Sequence, residues 1–159
     1  MLIGFIGIRK DTENVAEYLF LKYKFRKFRF LDHVKHLCSR LYELPFFETE
    51  FEDVIFPNFD LTPNQILSQV ESYLRYVQPT IFQSNLIVDT TENVVVLDVL
   101  YPEDAHRIKN LGGIIIRLRE KGNLNSLASD LRSDYVIEFS NDMFEKCDEV
   151  IFSHFSQTL

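Results

Sequence analysis

The sequence predicts an α/β fold, with a five-stranded, mostly parallel sheet and helices on both of its faces, in a single domain over residues 1–159. Three observations point there. Short, nearly unbroken apolar runs, such as Met1 to Ile8 and Gly113 to Leu118, have the pattern of strands buried on both faces. Segments between them carry apolar residues three and four apart, the helical period. The two kinds of segment alternate along the chain, and parallel strands require such crossovers.

Taken in order, residues 2–7 predict a strand, buried enough to be the central one. Thr12 to Lys22 predicts a helix, with Val15 and Leu19 on one face and Tyr18 and Leu21 beside them. Residues 25–30 predict an aromatic-rich second strand with Phe28 and Phe30 facing the core. Asp32 is placed to cap a helix running through Leu44, with Val34, Leu37, Cys38 and Leu41 inward and Pro45 ending it. Phe46 to Phe59 is acidic and aromatic without a clean period, and predicts irregular structure. Thr62-Pro63-Asn64-Gln65 is a capping box with proline where no N–H donor is needed, so a helix starts there. Ile66, Val70, Tyr73, Leu74 and Val77 form its inward stripe, and Pro79 follows its end.

Residues 94–99 predict the third strand. Pro102, with Glu103 and Asp104 in the first turn, opens a short helix, and Gly112 suits the left-handed residue that closes it. Residues 113–118 and 135–139 predict the last two strands. Ser140 to Phe155 predicts a final helix with Phe144, Cys147, Ile151 and Phe155 inward. Ligands of such folds bind beyond the carboxyl ends of the strands. Here those ends are Gly7 to Lys10, Leu31 to Asp32, Asp98 to Tyr101, Arg117 to Lys121 and Phe139 to Asn141.

Composition narrows the function. With 46% hydrophobic and 26% charged residues in 159, the chain is ordinary globular protein and not disordered. No apolar run reaches the roughly 18 residues of a membrane span, and no secretory leader pattern is present. Cys38 and Cys147 lack metal-ligand spacing, so two free thiols in a reducing compartment are expected. The net charge of −7 is uneven. Residues 1–42 hold nine Lys/Arg against four Asp/Glu, and residues 43–159 hold eight against twenty. Fifteen Phe and seven Tyr stand against five Gly, few for a protein built around a large phosphate-cradling loop.

Three segments carry a family resemblance. The first is Ile3-Gly4-Phe5-Ile6-Gly7, then Lys10-Asp11-Thr12 and Ala16-Glu17-Tyr18-Leu19. The second is Val96-Leu97-Asp98-Val99-Leu100-Tyr101-Pro102-Glu103-Asp104-Ala105, then Leu111-Gly112-Gly113 and its strand. The third is Asp134-Tyr135-Val136-Ile137-Glu138. In this order and spacing the chain resembles the P-loop deoxynucleoside monophosphate kinases of phages and large DNA viruses, from residue 1 to about 152 and most weakly between 43 and 90. The resemblance implies a three-layer P-loop kinase-like fold and a large DNA virus as source. It also implies a location in host cytoplasm or virion.

The departures from that family decide the expected function. A phosphate loop needs G-x-x-x-x-G-K-[ST], because its glycines let successive N–H groups curl around a phosphate. Counted back from Lys10, Gly4 is the first glycine and Arg9 stands in place of the second. Alternatively Gly7 is the first and about three loop residues are missing. Either way the remnant is Gly7, Arg9, Lys10, Asp11 and Thr12. Leu100 stands where the family has a substrate-binding arginine. Between Leu118 and Asp134, where a basic lid is expected, only Arg119, Lys121 and Arg132 are basic. The expectation is therefore a non-catalytic protein that acts through a viral protein partner or self-association, with no cofactor, no metal and no catalytic residues.

The alternative is an active kinase using ATP and magnesium. Lys10 would then serve the donor phosphates, Thr12 and Asp98 the metal, and Arg117 and Arg119 the transferred group. A third reading, a nucleic-acid or replication-complex accessory protein using residues 22–40, rests on Lys22 to Phe30, which interleaves cations and aromatics as nucleic-acid surfaces do. His33, His36, His106 and His154 lack metal-ligand spacing, and no Gly-x-Ser-x-Gly elbow is present. Cys38 lies on an apolar stripe and is expected to be buried. Phe46, Phe47, Phe51, Phe56 and Phe59 are either core of an irregular insert or contact anchors for a partner.

Overall fold

The computed structural model describes residues 1–89, 91–119 and 131–155. They group into two compact units, residues 1–28 with 87–159, and residues 29–86. The first unit holds strands β1 (Leu2–Ile6), β2 (Arg26–Phe28), β3 (Val94–Val96), β4 (Ile114–Arg119) and β5 (Tyr135–Glu138). It also holds helices α1 (Arg9–Tyr23), α4 (Pro102–Asn110) and α5 (Met143–Phe155). The second unit holds α2 (Leu31–Tyr42) and α3 (Pro63–Val77).

The five strands form one sheet in the order β2-β3-β1-β4-β5, every pair parallel, with β1 in the centre as its unbroken apolar run predicts. Ile3 lies opposite Val95 on one side and Ile114 on the other. Successive side chains alternate between the faces. Ile3, Phe5, Ile114, Ile116 and Leu118 share a face with Val15 and Leu19 of α1 and Cys147 and Ile151 of α5. The other face meets α4. A Cβ placed on Gly4 would lie 2.7 Å from Ile108 Cδ1 and 2.8 Å from Ile115 Cδ1, so only glycine lets that helix seat. The turn after α4 closes through Gly112 at φ +77°.

Between α1 and α5 lies a polar clamp. Asp148 accepts hydrogen bonds from Tyr18 Oη (2.7 Å), Tyr23 Oη (2.8 Å) and Lys22 Nζ (2.5 Å). Burial pushes this carboxyl up, but the three donors outweigh it and hold the carboxyl below the usual range.

Several expected inward positions are not inward. On α2 the buried residues are Val34, Lys35 and Cys38, whereas Leu37 and Leu41 are exposed. The stripe is turned toward Lys35, whose alkyl stem is buried and whose amine pairs with Glu52 at 3.8 Å and sits over the Phe47 ring. Asp32 is in the first turn of α2, but the N-cap is Phe30. The helix ends at Tyr42 on a left-handed Glu43 (φ 55°), ahead of Pro45. On α3, Ile66 and Leu67 are buried, Val70 and Leu74 half-buried, and Tyr73 and Val77 exposed. Arg75 takes the inward position, held by Glu71 at 3.0 Å and stacked on the Phe82 ring. Leu21 of α1 is also exposed. Residues 46–59 are irregular as expected, with one short 3₁₀ turn at Thr49–Phe51. Phe155 lies in α5, but its side chain is outside the described residues.

The capping box at Thr62 is present as predicted. Its hydroxyl accepts from Gln65 N at 3.3 Å, and Gln65 Oε1 accepts from Thr62 N at 2.9 Å. Thr62→Ala is expected to cost about 1 kcal/mol, read as a lower urea midpoint at unchanged slope.

Candidate functional site

At the carboxyl end of β1 only Gly7 and Ile8 separate the strand from α1. Ile8 is the N-cap, with extended backbone, and it makes no side-chain capping bond. Its carbonyl accepts from the N–H groups of both Asp11 (3.0 Å) and Thr12 (3.1 Å). No residue from Gly7 to Thr12 has a positive φ. The role of Gly7 is close packing, since a Cβ there would stand 3.1 Å from the Leu118 carbonyl oxygen and 3.4 Å from Thr12 Cγ2.

Arg9, Lys10 and Asp11 therefore occupy the first turn of a helix, with Arg9 and Lys10 exposed. Thr12 is buried, and its hydroxyl donates to the Arg9 carbonyl at 2.9 Å. Asp98 and Leu100 follow β3, the acid half-buried and the leucine exposed. Among the described residues no three His, Cys, Asp or Glu side chains converge as a metal site.

Arg117 and Arg119 stand on the same face of β4. Arg117 is buried and donates from Nη2 to the Leu131 carbonyl at 2.5 Å. Burial first, then the neighbouring Arg119 charge, lowers its pKa. Arg119 donates to Glu138 Oε1 at 2.9 Å, across from it in the β4–β5 register. Nothing in the sequence marks Glu138 or Leu131 as a partner of these arginines. The parallel register is what brings Glu138 to Arg119, and that becomes visible only once both strands are aligned. Of the expected lid, Lys121 and the neutral-to-acidic run 123–130 lie outside the described residues.

The basic stretch is largely engaged by carboxylates. Lys22 pairs with Asp148, Arg26 with Glu92 at 3.3 Å, and Lys27 with Glu17. Both thiols are buried, and burial raises the pKa of each, Cys147 to about 12. Neither is therefore suited to act as a nucleophile. The aromatic residues of the insert pack partly on one another. Tyr42 lies 6.2 Å from Phe46 and 6.1 Å from Phe59, and Phe51 lies 5.9 Å from Phe56, ring centre to ring centre. Phe46 is buried, whereas Phe47 is exposed and rests against His36.

No protein-family model and no curated protein matches the chain. Among solved structures, the dephospho-CoA kinase from Campylobacter jejuni superposes with a TM-score of 0.54 over 100% of both chains, at 16% sequence identity. At that identity the likeness is one of fold, and the fold it shows is kinase-like, a five-stranded parallel sheet of the P-loop kinase type.

Proposed function

We propose that this chain is a P-loop-kinase-fold protein that does not transfer phosphoryl groups and acts as a structural or protein-interaction component. One observation carries the reading, namely the two-residue link between β1 and α1. A phosphate cradle is a ring of successive N–H groups whose backbone alternates in hand. Gly7 and Ile8 are too few to form one, and no residue there is left-handed. Lys10 alone at a helix start offers a charge without that ring, and preorganised geometry is what catalysis of phosphoryl transfer rests on. The ion pairs that engage Lys22, Arg26 and Lys27 weigh against a nucleic-acid role. The sequence resemblance supports a large DNA virus as source, with host cytoplasm or virion as location.

The test is calorimetric titration with magnesium–ATP, paired with a coupled assay over the four deoxynucleoside monophosphates and dephospho-CoA. The expected result is no saturable heat and no turnover, with Lys10→Ala within about 0.5 kcal/mol of the parent in stability. Tight binding, with turnover abolished by Lys10→Ala, would establish the kinase alternative instead.

A further inference from the structure

Two hollows lie side by side along α3, both within the second unit. One, of about 250 Å³, has walls from Tyr42, Phe59, Leu61 and Ile66, with Asn58 and Asp60 at its polar side. The other, of about 390 Å³, is lined by polar residues that include Asp53, Thr62, Asn64 and Ser68, and Asp53 Oδ1 accepts from Asn64 Nδ2 at 3.3 Å. Gln69 lines both, so they are neighbours on the surface. Each contains one carboxylate and no cation.

The segment that supplies both of these carboxylates carries charge of one sign. Residues 43–60 carry six Asp/Glu and no Lys, Arg or His. Glu52 is paired with Lys35, and the other five are Glu43, Glu48, Glu50, Asp53 and Asp60. Glu43, Glu48, Glu50, Asp53 and Asp60 are all exposed. An aromatic-walled hollow with an acid at its side suits the end of a lysine or arginine. The alkyl stem packs on apolar surface, the cation meets ring faces, and the carboxylate completes the pair. Tyr42 and Phe59 form such a corner, with ring planes at 67°.

We propose that these hollows take a basic, extended peptide segment of a partner protein, one cationic side chain entering beside Asp60 and a second beside Asp53. Two adjacent acid-bearing hollows favour a peptide over a lone ammonium compound, because alternate side chains of an extended chain point the same way. The chain's own basic stretch is a poorer occupant, since Lys22, Arg26 and Lys27 already hold acids. The inference names the kind of partner for the interaction role proposed above and rests on that reading.

The probe is a fluorescein-labelled nonapeptide with arginine or lysine at alternate positions and glycine between, followed by fluorescence anisotropy on the full chain without nucleotide. A glutamine version of the peptide serves as control. Saturable binding is expected, weakening as salt rises because the charges are solvent-exposed. Asp60→Asn and Asp53→Asn are each expected to weaken it at least about fivefold, roughly 1 kcal/mol, with unchanged melting temperature. Glu48→Gln, an exposed acid outside both hollows, is expected to change it less than about twofold. Absence of binding, equal binding of the glutamine peptide, or equal loss in Glu48→Gln would overturn the proposal. So would self-association by ultracentrifugation that Asp60→Asn abolishes, which would make a second copy the occupant. Nucleotide turnover would overturn the non-catalytic reading and leave the peptide result standing, whereas failed binding without turnover overturns this inference alone.

Discussion

Ile108→Ala is expected to lower stability by about 3 kcal/mol, and to make a methyl at Gly4 less costly than it is in the parent. Ile108 is fully buried on α4, and its side chain fills the space above Gly4 of β1 and Gly113, the residue before β4. Truncating it removes buried methyl groups and leaves a cavity that a short helix on a rigid sheet fills only partly. Alone, Gly4→Ala is destabilising by about 1–3 kcal/mol, because its new methyl would stand 2.7 Å from Ile108 Cδ1. In the double variant the methyl enters space that Ile108 has left, although Ile115 Cδ1 still stands 2.8 Å away. The cycle of four urea titrations is therefore expected to show the pair costing about 1 kcal/mol less than the sum of its members. Simple additivity would mean that α4 does not bear on the sheet through this contact.

The second large effect belongs to Asp134. Its backbone N–H donates to the Ile115 carbonyl at 2.8 Å, and its Oδ2 accepts from the Ile115 N–H at 2.7 Å, so the side chain extends the β4–β5 ladder by one step. Lys109 Nζ donates to both carboxylate oxygens, at 2.8 and 2.9 Å. Asp134→Ala leaves the N–H of the buried Ile115 without that acceptor, a loss of about 1–3 kcal/mol. Asp134→Asn keeps an acceptor for Ile115 and loses only an exposed ion pair, so about 1 kcal/mol or less is expected.

The two Asp134 variants also differ from the parent in acid. Burial pushes the Asp134 carboxyl up, but Lys109, the Ile115 N–H and the His154 charge together hold it below its usual range. A carboxylate depressed in the folded state contributes stability that is complete above its unfolded pKa of about 4. That contribution is lost as pH falls through the lower folded value. Between about pH 5 and pH 2 the parent is therefore expected to lose more stability than either variant. Urea midpoints measured in parallel at each pH check this. The residual slope shared by all three is assigned to Asp148 and Asp142, whose carboxyls are depressed in the same direction.

The sheet was legible in the sequence because its signal is local. A strand buried on both faces must be apolar at every position, and Leu2–Ile6 and Val94–Val96 are. Thr62 announced its helix because the capping box lies within four residues. The faces of α2 and α3 were misread for one physical reason. A periodicity count treats Lys35 and Arg75 as polar, yet both bury long stems and satisfy their charges on nearby acids and rings. Leu37, Leu41, Tyr73 and Val77, which the count places inward, are exposed instead. At the candidate site, the sequence leaves open whether Gly4 or Gly7 begins the segment before Lys10, whereas the two-residue link from β1 to α1 appears only once both elements have bounds. The engagement of Arg119 by Glu138 was not legible either, because it depends on strand register. The hollows beside α3 gave only a compositional hint, the acidic, aromatic run from 43 to 60.

The central position of β1 has a consequence during biosynthesis. Ile3 pairs with Val95 and with Ile114, about 90 and 110 residues further along the chain. At the rate ribosomes work, roughly 5–20 residues per second, β1 waits about 5–20 s before either neighbour exists. Through that interval a strand with every residue apolar has no native hydrogen-bonding partner, and its open edges match any other strand it meets. In the finished sheet the same strand has no edge to offer. The vulnerability of this fold to misassembly is therefore concentrated in the seconds of its own translation, and a holdase that covers Leu2–Ile6 would act on it there.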